Sequence, residues 1–161
     1  MAEVEAPVTG IRIIRDITVQ PGVDTLEGKI GPLMTAARGA CHFIDMPAGL
    51  YLDEHPHDTE SLIYTVRGEW VLCSSGRRFH MKPGTLYWFG DGVPTGYEVP
   101  FEEDAYILIF KTSPREDDQA FIEYLKGMGE RIAKEHDEGT PFLLSELPED
   151  HPARVFAAGL K

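Results

Sequence analysis

Short apolar runs separated by glycine and proline fill the chain from Ile11 to Phe110. Runs of about four to eight residues bounded by turn residues are typical of β-strands, and their close spacing is typical of an all-β barrel or sandwich. Helical periodicity is scarce in this stretch, so the pattern predicts an all-β domain. Strands are predicted at residues 11–17, 40–46, 50–55, 61–67, 69–73, 77–81, 85–89, 95–99 and 105–111.

Three of the connections have a composition that favours tight turns. Ser74-Ser75-Gly76 joins two predicted strands as a hairpin in which the glycine can adopt a positive φ. Lys-Pro-Gly at 82–84 and Gly-Asp-Gly at 90–92 predict two further turns.

The pattern changes after Pro114, where apolar residues recur at helical spacing behind an acidic first turn. The spacing predicts a helix over about residues 116–136 and a second, short helix over about 152–158. The residues that share the apolar face of the longer helix are Phe121, Leu125, Met128 and Ile132.

Length and composition indicate one hydrophobic core. The 161 residues, 42% apolar and 26% charged, have ordinary values for a single globular domain. We expect a barrel domain at residues 1–113, with a motif core at 49–99, and a helical extension at 114–161 that packs on the barrel or on a partner subunit.

Charge and hydropathy exclude two classes of partner. A net charge of -12 opposes binding to nucleic acid, because that affinity comes mainly from lysine and arginine at phosphates. No apolar run approaches the roughly 20 residues that span a bilayer, so no membrane partner is expected. Glu3 and Glu5 stand where a signal peptide would carry basic residues, and two cysteines are too few for a disulfide scaffold. We therefore expect a cytoplasmic protein.

The strongest chemical signal is the pair His55 and His57, in the segment from Gly49 to Gly68. Residues at i and i+2 of a strand point to the same face, so both imidazoles can aim at one point, as metal ligands do. The alternative interpretation is a pair of polar histidines at the mouth of a barrel, with no ligand.

The surrounding residues resemble the two motifs of the cupin superfamily. Gly49, five residues, the two histidines, an acidic region and the closing Gly68 look like the first motif. Gly76, then Pro83-Gly84, then the run from Gly92 to Tyr97 is similar to the second motif. The resemblance implies an all-β, cupin-type double-stranded β-helix (jelly-roll) barrel, followed here by a C-terminal helical tail.

The resemblance also implies which residues would hold a metal ion. The two histidines of the first motif match His55 and His57, whereas the position of the family's glutamate is Ser61, with Glu60 one place earlier. The histidine of the second motif falls on Thr95. The candidate metal ligands are therefore His55, His57 and Glu60, with His42 as a substitute for Glu60, and the cofactor is one divalent ion of Zn, Ni, Mn or Fe, or none.

Strand alternation predicts the rest of the pocket, since residues of equal parity face the same side. Tyr51 and Asp53 share the parity of His55, and the other strands supply a few hydroxyls and apolar groups. Such a cavity suits a small polar or aromatic organic ligand. The predicted pocket residues are Tyr51, Asp53, Ser61, Ile63, Thr95 and Tyr97.

Two functional classes follow. The first is a small-molecule-binding cupin with a pocket centred on His55 and His57 and with weakened or altered metal binding. The second is a divalent-metal-dependent cupin enzyme, of dioxygenase, isomerase or lyase type, acting on a small organic substrate. For either class we expect a homodimer, paired through a sheet edge such as the predicted strand at 11–17.

Overall fold

A computed structural model describes residues 1–115 and 117–160, and within them ten strands and two α-helices. The strands are β1 (Val23–Thr25), β2 (Gly28–Ala36), β3 (Gly39–Met46), β4 (Tyr51–His55), β5 (Ser61–Arg67), β6 (Trp70–Ser74), β7 (Arg77–Met81), β8 (Leu86–Phe89), β9 (Thr95–Glu98) and β10 (Ala105–Lys111). The helices are α1 (Asp118–Asp137) and α2 (Pro152–Gly159), and short 3₁₀ turns lie at Ile17–Val19 and Leu144–Glu146.

Two antiparallel sheets form the barrel. One has six strands in the order β1-β2-β3-β10-β5-β8, and the other has four in the order β4-β9-β6-β7. Sequence neighbours are therefore often in different sheets, as in a jelly roll. The predicted fold class, an all-β cupin-type barrel with a C-terminal helical tail, is confirmed.

The main core lies between the two sheets and is centred on Trp70. This residue is fully buried, and its indole N–H donates to Thr65 Oγ1 at 2.9 Å, so its only polar atom is satisfied. The ring of Tyr97 meets Trp70 edge to face, with centroids 5.1 Å apart. These large side chains fill the closed end of the barrel, and Tyr97 separates Trp70 from the cavity described below.

The strand predicted at 11–17 does not form. Only an isolated bridge joins Ile13 to Glu5, and Ile14 and Ile17 instead pack on the outer face of the six-stranded sheet around Phe43. Apolar burial against an existing sheet does not require a ladder of backbone hydrogen bonds. Residues 11–17 therefore supply no sheet edge, and the homodimer, with its pairing through a sheet edge, stays a prediction.

Two strands, β1 and β2, were not predicted, because this stretch is rich in residues that weaken strands. Gly31 permits a close approach, since a Cβ there would lie 2.8 Å from Phe43 Cε1. Pro32 is tolerated because the register with β3 shifts between Pro32 and Met34. Tertiary packing thus overrides a local composition typical of a loop.

Both predicted helices are present. Asp117 caps α1, its carboxylate accepting from the Ala120 N–H at 2.6 Å, while Glu116, the first residue of the predicted helix, lies outside the described residues. Leu125 and Ile132 are buried, and α1 contacts β1 and β2. Neither helix in the described part of the chain combines the length and apolar character needed to cross a membrane.

Gly68, in the turn between β5 and β6, lies so close to the backbone of another segment that a side chain would clash there, whereas Gly76 has a similar φ and open space around it. Its φ is +74°, and a Cβ there would lie 2.8 Å from Ala105 Cα and closer still to the Asp104 carbonyl oxygen. Gly76 has nearly the same φ, +72°, but a Cβ there would meet no atom within 4 Å.

We expect Gly68→Ala to lower the free energy of unfolding by about 3 kcal/mol or more, because a backbone clash adds to the cost of positive φ. Gly76→Ala should cost only about 1 kcal/mol, the conformational term alone. Urea denaturation of both variants measures the difference. Equal losses would mean that the approach of Asp104 to Gly68 does not constrain the fold.

Candidate functional site

A cavity of about 590 Å³ opens between the six-stranded sheet, the end of β4 and helix α1. Its walls are mainly apolar, which suits a small organic molecule. The predicted apolar face of α1 closes one side of it. The apolar lining comprises Ile30, Ile44, Leu52, Ile63, Phe89, Ile109, Phe121, Leu125, Met128, Ile132 and Phe142.

His55 and His57 both line the cavity, with ring centroids 4.5 Å apart. The prediction that both histidines lie on one strand is wrong, because β4 ends at His55 and His57 follows Pro56 in the loop. His55 Nδ1 lies 3.0 Å from the Asp53 carbonyl oxygen, and the His57 ring lies 5.0 Å from that of Phe89. The loop, rather than strand alternation, brings the two imidazoles together.

His42 faces the same cavity. The sequence did not decide whether this side chain points into the barrel or away from it. It lies on β3, and its ring is 5.1 Å from that of Phe121 on α1. Burial, helped by the positive charges of Arg115 and Lys111, lowers the pKa of His42 to about 3. Burial is also the main reason why the pKa of His57 falls to about 4. Both rings are therefore neutral at pH 7.

Glu60, predicted as a metal ligand, faces away from the histidines. Its carboxylate accepts from Trp88 Nε1–H at 2.7 Å and from the Thr112 hydroxyl at 3.0 Å, both on the outer side of the sheet. These two hydrogen bonds lower the pKa of Glu60. The strand begins regularly at Ser61, without the bulge that would turn Glu60 inward, so this part of the predicted metal site is corrected.

The donor set does not fit a tight transition-metal site. Such sites take at least three nitrogen, sulfur or carboxylate ligands at one point. Within residues 1–115 and 117–160, no three His, Cys, Asp or Glu side chains are grouped closely enough to hold one ion. The positions of two family ligands hold the hydroxyls of Ser61 and Thr95.

Tyr51 and Thr95 do not line the cavity, contrary to prediction. The register between β4 and β9 shifts between Leu52 and His55, so Leu52 faces inward with Tyr97 and Tyr51 faces the C-terminal tail. Tyr51 packs there against Leu147. Thr95 pairs with His55 and is fully enclosed beside it, which removes it from the cavity wall.

The other four predicted pocket residues border the cavity. Asp53 accepts a hydrogen bond from the Tyr51 hydroxyl at 3.2 Å, and Tyr97 accepts one from the Tyr87 hydroxyl at 2.8 Å. Ile63 contributes apolar surface, and Ser61 a fully buried hydroxyl. Their contribution to ligand binding stays a prediction.

Lys111 is a cavity residue that the sequence analysis missed. It ends β10, where Ile107 and Ile109 are buried, and alternation from them would have pointed Lys111 inward. Its Nζ donates to the Thr59 carbonyl oxygen at 3.2 Å and lies 5.5 Å from the centre of the Phe89 ring. Burial lowers the pKa of Lys111.

A second set of charges, also missed, lies at the opposite side of the cavity. Glu27 follows the unpredicted strand β1, and Arg131 and Glu135 project from α1. Burial raises the pKa of Glu27, against the opposing attraction of His55 and Arg131. No sequence signal places this turn beside α1, because the two are about a hundred residues apart and meet only in the tertiary fold.

Residues 39–150, more than half of the chain, match the family described as AraC-like ligand binding domain. No curated protein sequence matches the chain.

Among solved structures, the polyketide cyclase RemF from Streptomyces resistomycificus is similar, with 21% identity and a TM-score of 0.51 over 63% of this chain and 75% of that one. This likeness shows the fold alone. The DMSP lyase DddQ from Ruegeria pomeroyi is 23% identical with a TM-score of 0.46, and the match spans 51% of this chain and only 42% of DddQ. A cupin domain of an XRE family transcriptional regulator from Enterobacter cloacae is 16% identical with a TM-score of 0.48, over 53% of this chain and 96% of that one.

The lowered pKa of His42 has a consequence for stability in acid. In the unfolded chain, His42 binds a proton below its ordinary pKa of about 6.5. In the folded chain, His42 stays unprotonated until the pH falls to about 3. The contribution of neutral His42 to the free energy of unfolding is therefore complete above pH 6.5 and is lost progressively as the pH falls towards 3. We expect wild type to lose about 2 kcal/mol more than His42→Gln between pH 7 and pH 5, measured by urea denaturation. Parallel losses in the two proteins would contradict the buried, neutral state of His42.

Proposed function

Because the chain belongs to the AraC-like ligand-binding domain family, whose fold is the cupin barrel, we propose that it binds a small organic molecule in the cavity centred on His55 and His57. The ligand is mainly apolar and has polar groups at one end. Its binding does not require a metal ion held by the two histidines. This function belongs to the first of the two classes considered from the sequence.

One observation carries the proposal: three buried polar atoms on the cavity side of the barrel have no hydrogen-bond partner among the described residues. They are His42 Nδ1, His57 Nδ1 and Ser61 Oγ. A buried polar atom without a partner costs roughly 1–3 kcal/mol, so unpartnered atoms rarely gather in one place without a function. All three residues line the cavity but their polar atoms are turned away from its open space, so a bound molecule would satisfy them after a rotation of these side chains and recover part of that cost.

The apolar wall supports a ligand with a hydrophobic body. Ile30, Ile44 and Ile109 line the barrel side, and Leu125 and Met128 of α1 face them. Burying apolar surface contributes roughly 25 cal/mol per Å², so a flat body of one or two rings gains most of its affinity here. The polar end then fixes the orientation.

The residues also support a weakened metal site. His55 and His57 supply two imidazoles, while Glu60 is engaged by Trp88 and Thr112 on the outer side of the sheet. The hydroxyl of Ser61 is a poor ligand for a transition metal. We therefore propose that affinity for Zn, Ni, Mn or Fe is low and that the histidines act on the ligand directly.

A neutral bicyclic probe, 2-naphthamide, tests the cavity. We expect wild type to bind it in calorimetry, and Met128→Trp to weaken binding at least about tenfold, because the larger side chain fills the space between α1 and the barrel. Lys126→Trp is the matched control, since Lys126 lies exposed on the same helix and does not line the cavity. The control should bind as wild type does.

The same titration in excess EDTA tests independence from metal. The affinity for 2-naphthamide should be unchanged. Binding that appears only after Zn²⁺ or Mn²⁺ is added would favour the metal-dependent enzyme class instead. Equal binding by wild type and Met128→Trp would place the ligand outside this cavity and overturn the proposal.

A further inference from the structure

One inward-facing row of the six-stranded sheet brings a cation and a hydroxyl together at the cavity. Lys111 pairs with Ser61 across β10 and β5, and Ser61 pairs with Phe89 across β5 and β8. All three line the cavity. Because directly opposed residues in a sheet lie about 5 Å apart, the aliphatic chain of Lys111 begins beside the Ser61 hydroxyl.

Lys111 is a partly buried cation with incomplete compensation. Its ammonium has three donors, and the described residues supply one acceptor, the Thr59 carbonyl oxygen at 3.2 Å. None of the ion pairs within 4.0 Å in the described part of the chain involves it. Asp58 and Asp91 attract it only from a greater distance, and burial lowers its pKa. A cation placed in this way favours an anion from outside.

Further hydrogen-bond donors surround the same corner. Ser61 Oγ, His42 Nδ1 and His57 Nδ1 are buried and have no partner among the described residues. A hydroxyl and a neutral imidazole each have one proton to donate. His42 lies two residues from Ala40, the β3 partner of Lys111, and therefore shares its face of the sheet, while the His57 ring and Lys111 Nζ lie 5.0 and 5.5 Å from the centre of the Phe89 ring. No carboxylate among the described residues accepts a hydrogen bond from these three atoms, although Asp58 lines the same cavity.

Another part of the cavity lining carries two carboxylates, Glu27 and Glu135, beside one arginine, Arg131. Glu27 lies in the field of Arg131 and His55, and Glu135 is the other acid there. An anionic ligand group would be repelled by these carboxylates and attracted by Lys111. This difference would orient a ligand with one charged end, and Asp58, which also lines the cavity, reduces the attraction at Lys111 without pairing with it.

We propose that the Lys111–Ser61 corner, with the imidazoles of His42 and His57, binds a carboxylate or a similarly compact oxyanion of the ligand, whose apolar body lies against α1. This inference rests on the proposed function, because it names the ligand class of the same cavity. Lys111 supplies charge, and the hydroxyl and imidazoles supply directed hydrogen bonds.

Three probes of the same shape test the charge preference: 2-naphthoate, 2-naphthamide and 2-naphthylmethylamine. Calorimetry at pH 7 should give wild type a preference of about tenfold or more for the carboxylate over the amide, and the weakest binding for the amine. Lys111→Met should reduce the carboxylate preference nearly to one while leaving the amide affinity within about twofold. Ser61→Ala should reduce the preference in part.

Lys126→Met is the matched control, because it removes a positive charge from α1 at an exposed residue that does not line the cavity. It should keep the carboxylate preference of wild type, and thermal unfolding checks that each variant is folded. A preference that survives in Lys111→Met, or tighter binding of the amine, would overturn this inference while leaving the proposed function intact. Failure of all three probes to bind wild type would instead contradict the proposed function.

Discussion

Polar side chains that face the inside of an apolar barrel must find hydrogen-bond partners, and this constraint governs the site. The layer around Trp70 meets it internally, since the indole N–H has Thr65 as its acceptor. The next layer towards the open end does not, because His42, His57 and Ser61 each keep a buried atom without a partner among the described residues. The barrel thus has its buried polar groups paired at one end and unpartnered polar atoms at the other, where we propose that the ligand binds.

The helical tail covers the end of the barrel where the unpartnered polar atoms lie. Without α1, the apolar wall of the open end would face water. The buried side chains of Leu125 and Ile132 belong to the face that closes the cavity, and Asp117 fixes where that face begins by capping the helix. The tail therefore belongs to the site, and it brings the residue Arg131 that balances Glu27 on the acidic side.

Strands β3 to β10 followed from the sequence because glycine and proline mark most of their turns, whereas β1 and β2 did not. The site followed only where strand alternation is regular. Ser61 and Ile63 were placed correctly beside the cavity because β5 has no bulge at its start. Tyr51 was misplaced because a bulge before His55 reverses parity, a backbone feature without a composition signal. Glu27 could not be found, since it reaches the cavity only through the long-range pairing of β1 and β2 with the rest of the sheet.

On the proposed function, His42 and His57 contact an organic ligand directly, without a metal ion between them and the ligand. Long-range ¹H–¹⁵N NMR of the histidine rings tests it, with 2-naphthoate added in the presence of EDTA. We expect changed ring-nitrogen shifts for His42 and His57, and unchanged shifts for His136, whose Nε2 is hydrogen-bonded to Glu146 in the tail. Ring shifts at His42 and His57 that stay constant with the ligand, or that change only after a divalent metal is added, would contradict it.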